Sequence, residues 1–168
     1  MSKTQLTQKE KELIAVGAAI SAGCQKCSDF HFKKVIEEGA SPEEVKKTVT
    51  GATSVINSSK EIMQRKAYSL MNIKREDVAE CCSDRSDRMA ELVKIGAAVA
   101  TNCTTNTKKH IELAISLGVS SKEIEIAVGM AKVIRKKAGE FADQAVSEGL
   151  HTEVIVEENA TASSGCGC

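Results

Sequence analysis

The stretch Cys24-Gln25-Lys26-Cys27-Ser28-Asp29-Phe30-His31 carries the clearest chemical pattern in the chain. Residues three apart on a helix lie one turn apart, with Cβ atoms about 5–6 Å from each other. Cys24 and Cys27 at that spacing need only a small adjustment to close a disulfide. His31 lies four residues past Cys27, so its imidazole shares a helix face with that sulfur. A helix N-terminus stabilises negative charge and lowers a thiol's pKa, and a nearby imidazole accepts the proton. The pattern predicts a thiolate near neutral pH and a second thiol that resolves whatever the first one forms. Nearness to the helix start favours Cys24 as the more acidic thiol, and nearness to His31 favours Cys27. Zinc is the competing reading, but a structural zinc site wants four ligands. The matching places elsewhere offer only Cys103, Asn106 and His110. Redox chemistry is preferred, with no metal ligand and no bound cofactor assigned.

The elements that position this motif emerge from an internal repeat. A shift of 79 positions lays Glu12-Leu13 on Glu91-Leu92, Gly17-Ala18-Ala19 on Gly96-Ala97-Ala98, Cys24 on Cys103 and His31 on His110. Gly39 then meets Gly118, Ser41 meets Ser120, Glu44 meets Glu123 and Glu61 meets Glu140. So many coincidences in one order point to duplication of a helical unit. Each unit reads as three helices. Leu13, Val16, Gly17, Ile20 and Cys24 recur at helical spacing, as do Leu92, Ile95, Gly96, Val99 and Cys103. A second helix is expected from about Gln25 to Glu38, stopped by Gly39 in a left-handed cap. A third opens at Ser41-Pro42-Glu43-Glu44, a capping box with proline in the first turn, and carries Val45, Val49, Ala52 and Ile56. Ser120 to Glu123 repeats the box.

These readings give an all-α fold of two tandem units. The first spans 6–67 and carries the motif; a connector covers 68–85; a second, degenerate unit spans 86–150. Residues 151–168 form a tail, flexible from Asn159 and ending in Gly-Cys-Gly-Cys. Within 168 residues, 23 basic and 23 acidic side chains cancel, and aromatics make up 2%. That composition excludes a nucleic-acid binder, which needs a basic stripe and usually stacking aromatics. The N-terminus lacks a signal-peptide core, and no apolar run approaches the roughly 18 residues of a membrane span. A soluble, cytoplasmic protein is expected, whose seven cysteines serve chemistry better than they serve a disulfide scaffold. Its core must come from Ala, Val, Ile and Leu, with small residues allowing close helix packing and oligomerisation covering remaining apolar surface.

Glu12 followed by Cys24, Cys27 and His31 resembles the motif of AhpD-like alkylhydroperoxidases, of the carboxymuconolactone decarboxylase superfamily. The likeness covers about residues 6 to 146, with the Gly-Ala-Ala stretch before the motif and the Gly-x-Ser-x-x-Glu turn after it. The resemblance implies an all-helical AhpD-like fold and thiol peroxidase or disulfide reductase activity. It makes Cys27 the thiolate that attacks a hydroperoxide and becomes a sulfenic acid. Cys24 donates a proton and closes the Cys24–Cys27 disulfide, while His31 and Glu12 relay protons. A dithiol donor, either a thioredoxin-like protein or a small thiol, returns the electrons, and a trimer or hexamer is the familiar assembly. The chain departs from the pattern in three ways. Lys26 stands where the best-known members have His, the motif lies in the first unit rather than the second, and Asn106 replaces the second cysteine of the other unit. That second unit keeps Glu91, Cys103 and His110 and is expected to be scaffold.

Cys166 and Cys168 sit in a glycine-flanked tail whose last ten residues reach about 33 Å when extended. A compact fold of this length has a radius of gyration of about 15 Å. Exchange of electrons between this tail and the Cys24–Cys27 disulfide is therefore sterically open. Cys81 and Cys82, being adjacent, read as packing residues, or with the tail as soft-metal ligands. His151 has no assigned role. Two alternatives accompany the redox reading: a thiol-based metal or metalloid binder, and a lactone decarboxylase of the same superfamily, whose chemistry does not need the cysteine pair.

Overall fold

A computed structural model of the chain describes residues 5–73 and 86–162, with side chains over 5–73 and 86–150. Six helices make up the described residues: α1 (Gln8–Ser21), α2 (Gln25–Glu37), α3 (Pro42–Leu70), α4 (Arg88–Ala100), α5 (Thr104–Ser116) and α6 (Ser121–Ala162). No strand occurs among them, so the all-α expectation holds. None of these helices is long and apolar enough to cross a membrane.

The starts of the helices follow from local chemistry. Thr7 caps α1 in a reciprocal box with Glu10, and Ser41 caps α3 in the same way with Glu44. Each box satisfies two backbone N–H groups that a helix end leaves without partners. Glu123 accepts from the backbone and hydroxyl of Ser120, as expected at the start of α6. Gly39 takes the left-handed conformation expected of it, with φ 77°. The turn between α1 and α2 needs the same conformation at Gly23 (φ 65°), and the α4–α5 turn obtains it from Asn102 (φ 56°). Asn is the side chain that tolerates this region best after glycine.

α1 and α4 form the centre. Eight consecutive residues of α1, Glu12 to Ala19, are buried, as are ten of α4, Glu91 to Ala100. A helix buried around its whole circumference must be covered on every side. α2, α3 and α6 cover α1, while α3, α5 and α6 cover α4. The paired Gly-Ala-Ala stretches lie where α1 and α4 cross. A Cβ on Gly17 would stand 2.8 Å from Val93 Cγ1, and one on Gly96 would stand 3.1 Å from Ile14 Cγ2. Each glycine thus receives the side chain of the facing helix. The aromatic-poor composition suits this contact, because a larger side chain at either crossing would push the helices apart.

Two differences from the sequence expectation concern helix faces and lengths. The fully buried face of α3 is Thr48, Ala52 and Val55, with Val45, Val49 and Ile56 only partly covered. α3 meets α1 and α4 together, so its buried strip turns toward the seam between them. α3 also continues to Leu70 and α6 to Ala162, past residues 67 and 150. Neither stretch contains a proline to stop the helix before those points. Arg88 bridges Glu10 of α1 and Glu123 of α6, and Lys9 bonds Glu44 of α3 at 2.8 Å in the matching position. Cys81, Cys82, Cys166 and Cys168 lie outside the described residues.

Candidate active site

Cys24 and Cys27 pack between α1 and α6, and His31, one turn past Cys27 on α2, meets Glu12 of α1. α1 ends at Ser21, so Cys24 does not continue its stripe as the spacing predicted. It is the N-cap of α2 instead, with extended backbone, and Cys27 sits in the first turn. The Gly23 turn makes this break possible by reversing the chain between the helices. The Cys24 Sγ accepts a hydrogen bond from the Cys27 backbone N–H at 3.1 Å. A thiolate in that position takes the role that an oxygen plays in an ordinary N-cap. Cys24 and Cys27 stand at disulfide distance, with Cα atoms 5.3 Å apart.

Both sulfurs are shielded: Cys24 is 6% exposed and Cys27 is 8% exposed. Ala15 and Ala19 of α1 and Ala131 and Ile134 of α6 belong to the same apolar cluster. α2 alone leaves its cysteines open, so α6 supplies the wall. Lys26 lies beside that wall, its ammonium 4.7 Å from the centre of the Phe141 ring. The charge that follows Gln25 is thus held by a cation–π contact to α6.

His31 and Glu12 supply the proton-handling part. His31 Nδ1 and Glu12 Oε2 are 2.8 Å apart, and Gln8 Nε2 donates to the other Glu12 oxygen at 3.0 Å. A carboxylate held on Nδ1 fixes the ring and leaves Nε2 for exchange. Phe30 packs edge-on against the imidazole with centroids 5.0 Å apart. The Glu12 side chain is 9% exposed and that of His31 is 18% exposed. The pair is therefore covered by protein but not sealed.

The matching positions of α4 and α5 hold a different arrangement. His110 Nδ1 lies 2.8 Å from Glu91 Oε2, the same pairing at the same distance. Here both side chains are buried, and Ser86 and Lys94 bond the second Glu91 oxygen, Lys94 at 3.2 Å. Burial pushes the Glu91 carboxyl up, but its bonds to His110 and Ser86 and the charges of His110 and Lys94 outweigh that and hold it low. Asn106, in the place of the second cysteine, donates from Nδ2 to Ser59 Oγ at 3.1 Å and accepts from Ser58 Oγ at 3.2 Å. It ties α5 to α3. Cys103 is the N-cap of α5 but accepts no capping hydrogen bond.

Sequence spacing pointed to Cys24, Cys27 and His31, and the resemblance to Glu12; Lys94, Ser86 and Ser59 were not singled out. Lys94 had a visible signal, as a cation inside the apolar run Leu92 to Ala100. A charge in such a run needs a buried partner. Among the described residues, no three His, Cys, Asp or Glu side chains are grouped to hold a metal ion. The carboxymuconolactone decarboxylase family model matches residues 1–68, which take in α1, α2 and nearly all of α3. No curated protein matches the chain.

Proposed function

From a chain whose residues 1–68 match the carboxymuconolactone decarboxylase family model, we propose a thiol-dependent peroxidase or disulfide reductase. One observation carries this reading: a shielded Cys24–Cys27 pair at disulfide distance, one helical turn from a His31–Glu12 pair. Following the family resemblance, Cys27 is the attacking thiolate, and the Cys27 backbone N–H that bonds Cys24 Sγ stabilises Cys24 as the thiolate formed once it has given up its proton. The Cys27 sulfur bonds to the terminal oxygen of a hydroperoxide while the O–O bond breaks, leaving an alcohol and a Cys27 sulfenic acid. Cys24 supplies the proton for the leaving alkoxide, with His31 and Glu12 as the relay. The resulting Cys24 thiolate attacks Cys27, the S–S bond forms, and the hydroxyl leaves as water after taking a proton. Two electrons from a dithiol then reopen the disulfide. With a disulfide substrate the same pair runs as donor, passing its electrons by exchange.

The reading includes a cytoplasmic homo-oligomer, a trimer or hexamer. Phe30, Ile36, Met63 and Leu70 are large apolar side chains that stand mostly exposed on α2 and α3, which supports association. It also includes delivery of electrons by Cys166 and Cys168. Deleting the residues after Ser164 is expected to slow turnover with a protein dithiol donor, and an unchanged rate would remove that part alone.

The deciding experiment is thiol titration with mass spectrometry after limiting hydroperoxide. Wild-type protein is expected to yield a Cys24–Cys27 disulfide, and Cys27→Ser is expected to yield none and to turn over no faster than free thiol. Failure to form that disulfide with any oxidant would end the proposal. The family match favours one second reading, lactone decarboxylation, which would persist in a Cys24→Ser, Cys27→Ser double variant.

A further inference from the structure

Between α3 and α4, over Leu13 of α1, lies a cavity of about 400 Å³. Neither cysteine of the pair lines it, nor does His31 or Glu12. Its floor is apolar, from Leu13, Met89 and Val93, and its α3 side is polar, with Lys46, Thr48 and Thr50 among its residues. The shift of 79 residues shows how unusual that side is. Lys46, Thr48, Thr50 and Ser54 of α3 correspond to Glu125, Ala127, Gly129 and Val133 of α6. Gly51 corresponds to Met130, and Lys94 to Ala15. Glycine thus stands on one helix in place of a large residue, and lysine on the facing helix in place of a small one. A Cβ on Gly51 would stand 3.9 Å from Lys94 Cγ, so the lysine stem runs directly beside the glycine.

The groups around the cavity are short of acceptors, not donors. Of its acids, Glu44 is held by Lys9 and Ser41, and Asp87 by Lys47 and the Ala90 backbone N–H. Lys94 gives one N–H to Glu91 and one to Ser86 and keeps a third. Lys46 has no ion-pair partner among the described residues. Thr48 is 4% exposed and its hydroxyl has no hydrogen-bond partner among them. The first turns of α3 and α4 both border the cavity, and helix N-termini favour negative charge. Glu43, exposed on the α3 first turn and also without a partner among the described residues, opposes a polyanion.

We infer that this cavity binds a small aliphatic monocarboxylate, its carboxylate at Lys94, Lys46 and Thr48 and its chain over Leu13, Met89 and Val93. The volume falls within the roughly 300–1,000 Å³ usual for small-ligand sites. The inference is independent of the thiol reading, since the two sites share no residue.

Hexanoate, 1-hexanol and inorganic phosphate are the probes, titrated calorimetrically into the full chain. Hexanoate is expected to bind saturably, with the other two at least tenfold weaker. Gly51→Met restores the residue found at the matching place on α6 and fills the cavity against the Lys94 stem. Lys46→Gln removes one cation at the surface. Each is expected to weaken hexanoate at least tenfold while leaving hydroperoxide-driven Cys24–Cys27 oxidation unchanged, and Lys46→Gln is expected to leave the thermal midpoint unchanged as well. Absence of saturable hexanoate binding, equal binding of 1-hexanol, or unchanged affinity in both variants would overturn the inference. Equal binding of phosphate would overturn the monocarboxylate assignment in the same way.

Discussion

The Glu12–His31 and Glu91–His110 pairs have the same distance, 2.8 Å, and the same sequence separation, yet they sit in different chemical settings. The first stands beside two cysteines and keeps partial access to water. The second is enclosed, with Asn106 where a thiol would be and with Lys94 and Ser86 on the free carboxylate oxygen. A Glu–His pair at this helix crossing therefore serves two ends. The partly open pair is the one that suits the proposed proton relay, and the closed one ties α4 to α5 and to Ser86 ahead of α4.

The sharpest way to break the comparison is to remove each carboxylate in turn. Glu91→Ala leaves buried Lys94 and His110 unpaired and is expected to cost about 3–5 kcal/mol, read by denaturant unfolding. Its turnover per folded molecule should be unchanged. Glu12→Ala is expected to lower peroxide turnover about 100-fold, the usual scale for a lost acid–base group, with far less loss of stability. If both variants lost activity without unfolding, the two pairs would not differ in role.

The glycine crossing gives the next effect. Gly17→Ala places a methyl 2.8 Å from Val93 Cγ1, and about 1–3 kcal/mol of overpacking is expected. Gly96→Ala, at 3.1 Å from Ile14, should cost less. A reversed order in urea unfolding would show that the α4 side of the crossing is the tighter one.

The smallest effect concerns the two matching surface-to-core bridges. The Lys9 hydrogen bond, with the Ser41 backbone N–H, takes the Glu44 carboxyl from 4.5 down to about 2. A depressed folded-state carboxyl stabilises the fold above its unfolded pKa, and the contribution is lost as pH falls from 4.5 toward 2. The Glu44 side chain is 40% exposed, so the loss is small and screened by salt. Lys9→Met should raise the Glu44 titration midpoint, measured by carboxyl NMR.

Much of the fold was legible because caps and stops are written in adjacent residues. The Ser41–Glu44 box and Gly39 mark the start of one helix and the end of another without help from tertiary contacts. The spacing of Cys24, Cys27 and His31 was legible for a similar reason, as helical periodicity decides which residues share a side, whereas Glu12, on another helix, came only from the family resemblance. The buried face of α3 was not, because Thr48 and Val55 are covered by two helices whose crossing no local pattern encodes. Cys24 also broke the apparent α1 stripe, since a turn at Gly23 satisfies the same spacing as a longer helix. Lys94 stood out by type, and Glu91 one turn before it was a readable partner, but Ser86 lies ahead of α4, where helical spacing says nothing about its position.

The mutual seating of Gly17 against Val93 and of Gly96 against Ile14 has a thermodynamic consequence. Neither half of the chain owns its core, because α1 completes its burial only through α4 and α4 only through α1. There is no seam along which one half can melt while the other stays native. Heating should therefore give one cooperative transition, with circular dichroism and the accessibility of Cys24, Cys27 and Cys103 changing together.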